Sequence, residues 1–152
     1  MTDSPCRQLV YASTATIGRD LSHPETQREL MKIVSHSRKS NPQRGIVGVL
    51  HFGQGRFLQI LEGHPEAVET LFETIRADSR NSDVRVLRDE ARDAPRFAEW
   101  NMKFLTLEKE MAVFLKRHRL NGFDPYQLDD RMLTDLVELL ASGQDEGTPA
   151  TA

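Results

Sequence analysis

The first residue that suggests chemistry is a glutamine inside an apolar strand. Residues 56–63 read RFLQILEG, and the apolar neighbours of Gln59 are typical of a buried strand. Because side chains alternate across a strand, Gln59 shares a face with Phe57 and Leu61, which we predict to be the core face. A buried primary amide has two N–H donors and an acceptor oxygen, and leaving them unpaired costs roughly 1–3 kcal/mol. Gln59 therefore needs hydrogen-bond partners inside the protein.

A tyrosine in the first predicted strand offers one partner. Residues 8–13 read QLVYAS, and Tyr11 shares a strand face with Leu9 and Ser13. If the first and third strands are neighbours, the Tyr11 hydroxyl and the Gln59 amide can bond each other. Two interpretations remain open at this point. The pair is either a satisfied structural pair in the core or part of a site for a flat, polar, buried ligand.

The sequence contains none of the common catalytic or metal-binding motifs. It has no GxSxG, P-loop or GxGxxG motif, and Glu62 is a carboxylate at a strand end without an evident acid–base partner. We therefore predict no metal site and no catalytic machinery. The histidines are scattered, without metal-ligand spacing: His23, His36, His51, His64 and His118.

Composition excludes several classes of protein. The 152 residues carry a formal net charge of −3 with a pI near 6, which does not suggest a nucleic-acid-binding surface. No run approaches the roughly 18 apolar residues of a membrane span, and the first residues, MTDSPCRQ, lack the features of a signal peptide. Cys6 is the single cysteine, so an internal disulfide cannot form. We expect a cytoplasmic protein that binds neither nucleic acid nor membrane.

The hydrophobic pattern predicts the element order β-α-β-β-α-β-β. Strands are predicted at residues 8–13, 45–52, 56–62, around 84–87 and at 99–105, with a polar link over 89–96. Ser22 and Glu25 fit a capping box for the first helix, which should end before Asn41-Pro42. The second helix follows Gly63 and carries Val68, Leu71, Phe72 and Ile75 on one face. The first six elements are the ferredoxin-like arrangement, an α+β sandwich with two helices on one sheet face.

The second sheet face also needs a cover. Val10 and Ala12 in the first strand, and Leu58 and Ile60 in the third, place apolar side chains opposite the helix side. Apolar stripes in residues 106–141 predict two extra C-terminal helices on that face. Residues 1–6 and 142–152 are expected to be tails, the second of them disordered. The stripes consist of Leu107, Met111, Phe114 and Leu115, and of Met132, Leu133, Leu136 and Leu140.

Five segments, in order and over residues 7–105, resemble the BLUF family of blue-light sensors that use FAD. The region from Leu107 to Leu140 resembles the two-helix extension of its short, stand-alone members. Two positions depart from the family pattern: Asn81 stands where a histidine is frequent, and Ser40 where Asn or His is frequent. The five segments read LVYAS, SRKSNPQRGIVGVL, FLQILEG, IRADSRNSDV and FAEWNMKF.

The resemblance implies an FAD site between the two helices. Ile33 and Ile75 should sandwich the flavin ring, Asn41 should bond its polar edge, and Gln59 should lie between Tyr11 and the ring. Trp100 and Met102 should belong to the photoactive group. The remaining cofactor-binding residues that the resemblance implies are Arg38, Asp78 and Arg80, of which Arg80 suits a phosphate contact.

The resemblance also implies a light-driven switch in place of catalytic turnover. An electron and a proton move from Tyr11 toward the flavin and return, while Gln59 rotates or tautomerises and changes its hydrogen bonds. Output should reach the C-terminal helices through the strand that carries Trp100 and Met102. The implied partners are a second copy of the chain and an unidentified signalling protein. Two alternatives stay open: an acylphosphatase-type hydrolase, and a flavin-free interaction module in which Tyr11 and Gln59 are structural.

Overall fold

The computed structural model describes residues 6–18, 22–98, 103–105 and 108–145. Within these residues there are five strands, four α-helices and two short 3₁₀ turns. The strands are β1 (Cys6–Ala15), β2 (Val47–Gly53), β3 (Arg56–Gly63), β4 (Asn81–Arg92) and β5 (Lys103–Leu105). The helices are α1 (Pro24–Ser40), α2 (Pro65–Arg76), α3 (Glu108–Arg117) and α4 (Asp130–Asp145), and the 3₁₀ turns are Pro42–Arg44 and Pro125–Gln127. None of the described helices is long and apolar enough to cross a membrane.

The strands form one sheet in the order β4-β1-β3-β2-β5. All neighbouring pairs are antiparallel except β2 and β5, which are parallel. The predicted pairing of the first and third strands is confirmed, and its register places Tyr11 directly opposite Gln59. The β2–β3 hairpin turns at Gln54-Gly55, where both residues have positive φ, as a two-residue type I′ turn requires.

Both sheet faces are buried, as the alternation of apolar residues predicts. On one face, α1 and α2 cover a core that includes Leu9, Tyr11, Leu61 and Phe72. On the other, α3 and α4 cover a core that includes Val10 and Ile60. His51 faces this second layer and meets the edge of Phe123 at 5.1 Å between ring centroids. The fold is therefore the predicted ferredoxin-like sandwich with two added helices on the far face.

A buried carboxylate anchors the chain after β4 to the second face. Glu62 is fully buried and accepts hydrogen bonds from the Gln8 side chain at 2.7 Å and from the backbone N–H groups of Arg96 and Phe97 at 2.9 and 2.8 Å. The sequence had given Glu62 no role. The register of β1 and β3 explains this anchoring role, because Gln8 and Glu62 face each other on the same side of the sheet as Val10 and Ile60.

Three details of the sequence prediction are wrong. The cap of α1 is His23, one residue after the predicted Ser22, because the helix begins at Pro24. Residues 89–92 are part of β4, although we predicted a link there. This strand lies at the sheet edge, where charged side chains on an exposed strand are common. Helix α4 continues to Asp145, four residues past the predicted end of the C-terminal helical extension at residue 141, so residues 142–145 are helical although we predicted a disordered tail there.

Candidate flavin site

A cavity opens between α1 and α2 above the centre of the sheet. It encloses about 830 Å³ of non-atom space, a figure that includes the open solvent at its mouth. Strands β1, β2 and β3 supply its floor, Tyr11, Leu50, Phe57 and Gln59. Ile33 from α1 and Ile75 from α2 line its walls. The space is thus bounded by apolar walls with a polar pair at the bottom, which suits a flat molecule with a polar edge.

The polar pair on the floor consists of Tyr11 and Gln59. Both are buried, and the Tyr11 hydroxyl donates a hydrogen bond to the amide oxygen of Gln59. Burial, and secondarily the negative charge of Asp78, raise the pKa of Tyr11 well above its ordinary value. Tyr11 therefore keeps its proton and acts as a donor. Because the Gln59 oxygen accepts the bond from Tyr11, the Gln59 nitrogen with its two donors is the end that does not bond Tyr11.

Asn41 provides an unsatisfied donor beside this pair. It follows the last residue of α1, is 2% exposed and lines the cavity. Its backbone is held firmly, since its N–H donates to the Ser37 carbonyl at 2.8 Å and its carbonyl accepts from Ile46 at 2.9 Å. Its side-chain nitrogen Nδ2, however, has no hydrogen-bond partner in the described structure. A buried amide nitrogen in this state calls for an acceptor inside the cavity.

The rim beside α2 holds an ion pair and a second asparagine. Arg80 donates from Nε and Nη2 to the Asp78 carboxylate at 3.0 and 2.6 Å. The hydrogen bond from Arg80 lowers the pKa of Asp78, more than burial raises it. The side-chain nitrogen of Asn81 donates to the Ile75 and Asp78 carbonyls at 3.1 and 2.9 Å. Asn81 therefore caps the C-terminal end of α2 instead of pointing a free donor at a ligand.

Most of the predicted site residues line this same cavity. Tyr11, Ile33, Asn41, Gln59, Ile75, Asp78 and Arg80 all line it. Arg38 lies in the last turn of α1 but is not among the lining residues. Trp100 and Met102 lie outside the described residues.

The sequence reasoning also missed lining residues. On α1, the missed residues His36, Ser37 and Ser40 lie on the same helix face as Ile33, so their i+3, i+4 and i+7 spacing could have identified them. The missed residues are His36, Ser37, Ser40, Arg44, Leu71 and Thr74, together with Leu50 and Phe57 on the floor.

Comparison with known proteins identifies the family. The model of the family "BLUF: Sensors of blue-light using FAD" matches residues 7–103. The chain belongs to the BLUF family. FAD is the cofactor by which this family is defined, and the chain carries a blue-light-sensing domain of this kind.

Solved structures of BLUF proteins have the same fold. The photo-activated state of BlsA superposes with a TM-score of 0.80 at 30% identity, covering 97% of this chain and 99% of that chain. The dark-state structure of BlrB, described as a BLUF protein, gives a TM-score of 0.73 at 26% identity, covering 93% of this chain and 99% of that chain. The similarity to BlsA and BlrB therefore extends over almost their full lengths.

Curated relatives are longer proteins. A photoactivated adenylate cyclase subunit beta from Euglena longa is 33% identical over 115 residues, 74% of this chain but 12% of the relative. The blue light- and temperature-regulated antirepressor BluF of Escherichia coli is 31% identical over 117 residues, 72% of this chain and 28% of the relative. The chain thus spans between about an eighth and a quarter of the length of these relatives.

The residues of the cavity fit the flavin of FAD. A flavin ring is flat and carries nitrogen and carbonyl acceptors along one edge, which is what the orphaned Nδ2 of buried Asn41 requires. Ile33 and Ile75 are only partly buried, so their apolar surfaces remain available to the faces of a ring between the helices. The partly buried isoleucines and the orphaned Asn41 donor of the BLUF cavity are thus chemically suited to the flavin of the family's cofactor.

Proposed function

We propose that this protein is a blue-light switch in which the hydrogen bonds of Tyr11 and Gln59 are the moving part. The observation that supports this proposal is the direct Tyr11–Gln59 hydrogen bond on the floor of the cavity, next to Asn41. FAD, when bound, supplies the absorption of blue light and the capacity to accept an electron. Ile33 and Ile75 hold the ring by packing on its two faces, and the Asn41 amide donates to its polar edge.

Tyr11 and Gln59 carry out the switch in this proposal. Tyr11 would give an electron and its hydroxyl proton to the flavin after excitation, and both would then return to Tyr11. Gln59 meanwhile rotates or tautomerises. Rotation exchanges the donor and acceptor ends of a buried amide without adding charge, so a second arrangement is accessible at low electrostatic cost. Burial excludes water from the pair, which keeps each arrangement distinct.

We propose that the chain itself is a sensor without enzymatic turnover. The titratable residue on the cavity floor is Tyr11, and its raised pKa keeps it a donor at neutral pH, which does not suit a general base. The carboxylate on the rim, Asp78, is held by Arg80.

The output, in this proposal, is a change in protein–protein contact, with a second copy of the chain or with a signalling protein. Two contacts link the switch to the far face. Thr14, three residues after Tyr11, hydrogen-bonds at 2.8 Å to Tyr126 in the turn between α3 and α4. Arg88 of β4 binds the Asp130 carboxylate and the Thr134 hydroxyl, both on α4, at 2.7 Å. A displacement of β1 or β4 therefore acts directly on the C-terminal helices.

One absorption spectrum, recorded in the dark and after blue light, tests the switch. We expect bound oxidised flavin whose visible band shifts reversibly by a small amount to the red. A protein that binds flavin but only bleaches contradicts the switch. A protein that takes up no flavin, even when supplemented, supports a flavin-free interaction module. Size-exclusion chromatography in the dark and under blue light tests self-association, and an elution volume that never changes argues against output through assembly of copies.

A further inference from the structure

The mouth of the cavity contains a cation, Arg44, that has no acidic partner among the described residues. The charged and histidine side chains that line the cavity are His36, Arg44, Asp78 and Arg80. Asp78 and Arg80 neutralise each other at 2.6 Å. Arg44 is exposed and, within the described part of the chain, its guanidinium forms neither a hydrogen bond nor an ion pair. The positive charge at the mouth is therefore concentrated on Arg44.

The backbone fixes where Arg44 lies relative to the flavin-binding edge. The turn Pro42–Arg44 is a 3₁₀ helix in which the Arg44 N–H donates to the Asn41 carbonyl at 3.0 Å, and Gly45 ends it with a φ of 69°. Side chains three residues apart in a 3₁₀ helix lie on the same side, separated by about 6 Å along its axis. Asn41 is buried and Arg44 is exposed. The two residues thus form a line from the inside of the cavity to its mouth.

The two helix ends around the mouth favour a cation beside an anionic ligand. Helix α1 ends at Ser40 and α2 ends at Arg76, so both present their C-terminal ends to the region of the cavity that Ser40, Asp78 and Asn81 line. Helix C-termini carry negative partial charge and repel anions. The Asn81 side-chain nitrogen donates to the Ile75 and Asp78 carbonyls, and Arg80 is paired with Asp78. Among the residues that line the cavity, Arg44 is therefore the unpaired arginine that can offset this repulsion.

We propose that Arg44 binds the phosphate attached to the flavin end of FAD, and that Arg80 remains paired with Asp78. The inference rests on the flavin site proposed above. Arg44, which was not predicted from the sequence, thus takes the phosphate contact that the family resemblance implied for Arg80. The guanidinium fork is suited to phosphate oxygens, and an exposed arginine can reach them without the desolvation cost of a buried charge.

Three flavins that differ in phosphate content test this assignment. The full-length chain, freed of flavin, is titrated in the dark with riboflavin, FMN and FAD, and binding is followed by quenching of flavin fluorescence. We expect Arg44→Ala to weaken FMN and FAD binding about three- to tenfold, the scale of one exposed charge-assisted contact, and riboflavin binding less than about twofold. Raising the salt concentration should weaken FMN binding to the original chain more than to Arg44→Ala.

Two control variants separate the assignment from general charge effects. Lys39→Ala removes one positive charge from the last turn of α1 without changing a residue that lines the cavity, and all three affinities should stay within about twofold. Arg80→Ala should weaken FMN less than Arg44→Ala does. Arg44→Gln keeps much of the side-chain length, so it should reproduce the effect of Arg44→Ala if charge is the cause. Urea unfolding of each flavin-free variant confirms that the fold is intact.

The outcomes distinguish the inference from the proposed function. If the original chain binds none of the three flavins, the flavin site itself is refuted. If it binds them and Arg44→Ala binds FMN normally, or loses riboflavin equally, the phosphate assignment is overturned while the flavin site stands. The assignment is also overturned if Arg80→Ala is the variant that selectively loses FMN.

Discussion

Asn41 is the residue for which we predict opposite effects on cofactor binding and on the stability of the free chain. In the flavin-free chain its side-chain nitrogen is buried without a partner, so Asn41→Ala removes no hydrogen bond made by that nitrogen. The backbone bonds to Ser37 and Ile46 do not depend on the side chain. We expect the free energy of unfolding of the flavin-free variant to stay within about 0.5 kcal/mol or to rise, because an unsatisfied buried donor is lost.

Binding of FAD should respond much more strongly. In the flavin complex we expect Asn41 Nδ2 to bond the polar edge of the ring. Removing Asn41 then leaves the ring's acceptor buried without this partner, which costs roughly 1–3 kcal/mol. Its loss corresponds to an affinity for FAD that is about 5- to 150-fold weaker. Fluorescence titration in the dark measures the affinity, and urea unfolding of the same flavin-free preparation measures the stability.

Asn81→Ala is the matched control, because the same side-chain type here has the opposite environment. The Asn81 nitrogen donates to the Ile75 and Asp78 carbonyls, so its removal should destabilise the flavin-free chain by about 1–2 kcal/mol and change FAD affinity little. If Asn41→Ala instead destabilises the flavin-free chain by more than about 1 kcal/mol and binds FAD normally, Asn41 is a structural residue. The reasoning about its orphaned donor is then refuted.

Three further predictions concern the switch, the buried carboxylate and acid stability. Gln59→Leu and Tyr11→Phe should both retain flavin but lose the normal reversible red shift, because each removes one partner of the Tyr11–Gln59 bond; a full shift in either variant contradicts its role. Glu62→Ala should lower the free energy of unfolding by about 2–4 kcal/mol, because three donors lose their acceptor: the Gln8 amide and the Arg96 and Phe97 N–H groups. Replacement of the exposed Glu66 by Ala is the control. Equal losses of stability in urea unfolding would show that Glu62 is not an anchor. The pKa of Asp78 is lower in the folded chain than in the unfolded chain, so the unfolded chain binds a proton more readily. The contribution of Asp78 to the free energy of unfolding is therefore present above about pH 4 and is lost as pH falls through the lower folded pKa. Asp78→Asn should flatten the pH dependence of urea unfolding below about pH 4, and an unchanged slope would argue against the Asp78–Arg80 bond.

The core of the site was predictable because strand alternation is strict. A period of two places Tyr11 and Gln59 on one face, and antiparallel pairing of β1 and β3 then sets them opposite each other. The walls were predictable for a similar reason, since Ile33 and Ile75 lie on the apolar sides of their helices. Resemblance to the BLUF family supplied the identity of the ligand, which neither periodicity nor composition could provide.

The hydrogen-bond partners of the rim residues were harder to predict, because they depend on where the helices end and on which ion pairs form. Nothing local in the sequence shows that Arg80 binds Asp78 or that Asn81 caps α2, yet these bonds decide which polar groups remain for a ligand. Arg44 was overlooked for the same reason, since its position follows from the 3₁₀ turn after Asn41. The long β4 strand was missed because its charged residues look like a loop until an edge position explains them.

The placement of the polar residues indicates how one sheet can serve both a sensor and an output surface. Along β3, Gln59 faces the cavity while Leu58 and Ile60 belong to the core beneath α3 and α4. Successive side chains share one backbone, so a movement of the strand caused by a new arrangement of Gln59 shifts both faces together. Close packing of Leu58 and Ile60, both nearly inaccessible to solvent, leaves little room to absorb such a shift locally. In the proposed switch, the far-face helices are therefore the structural elements expected to respond, and the Tyr126 and Arg88 contacts join them to the same sheet through β1 and β4.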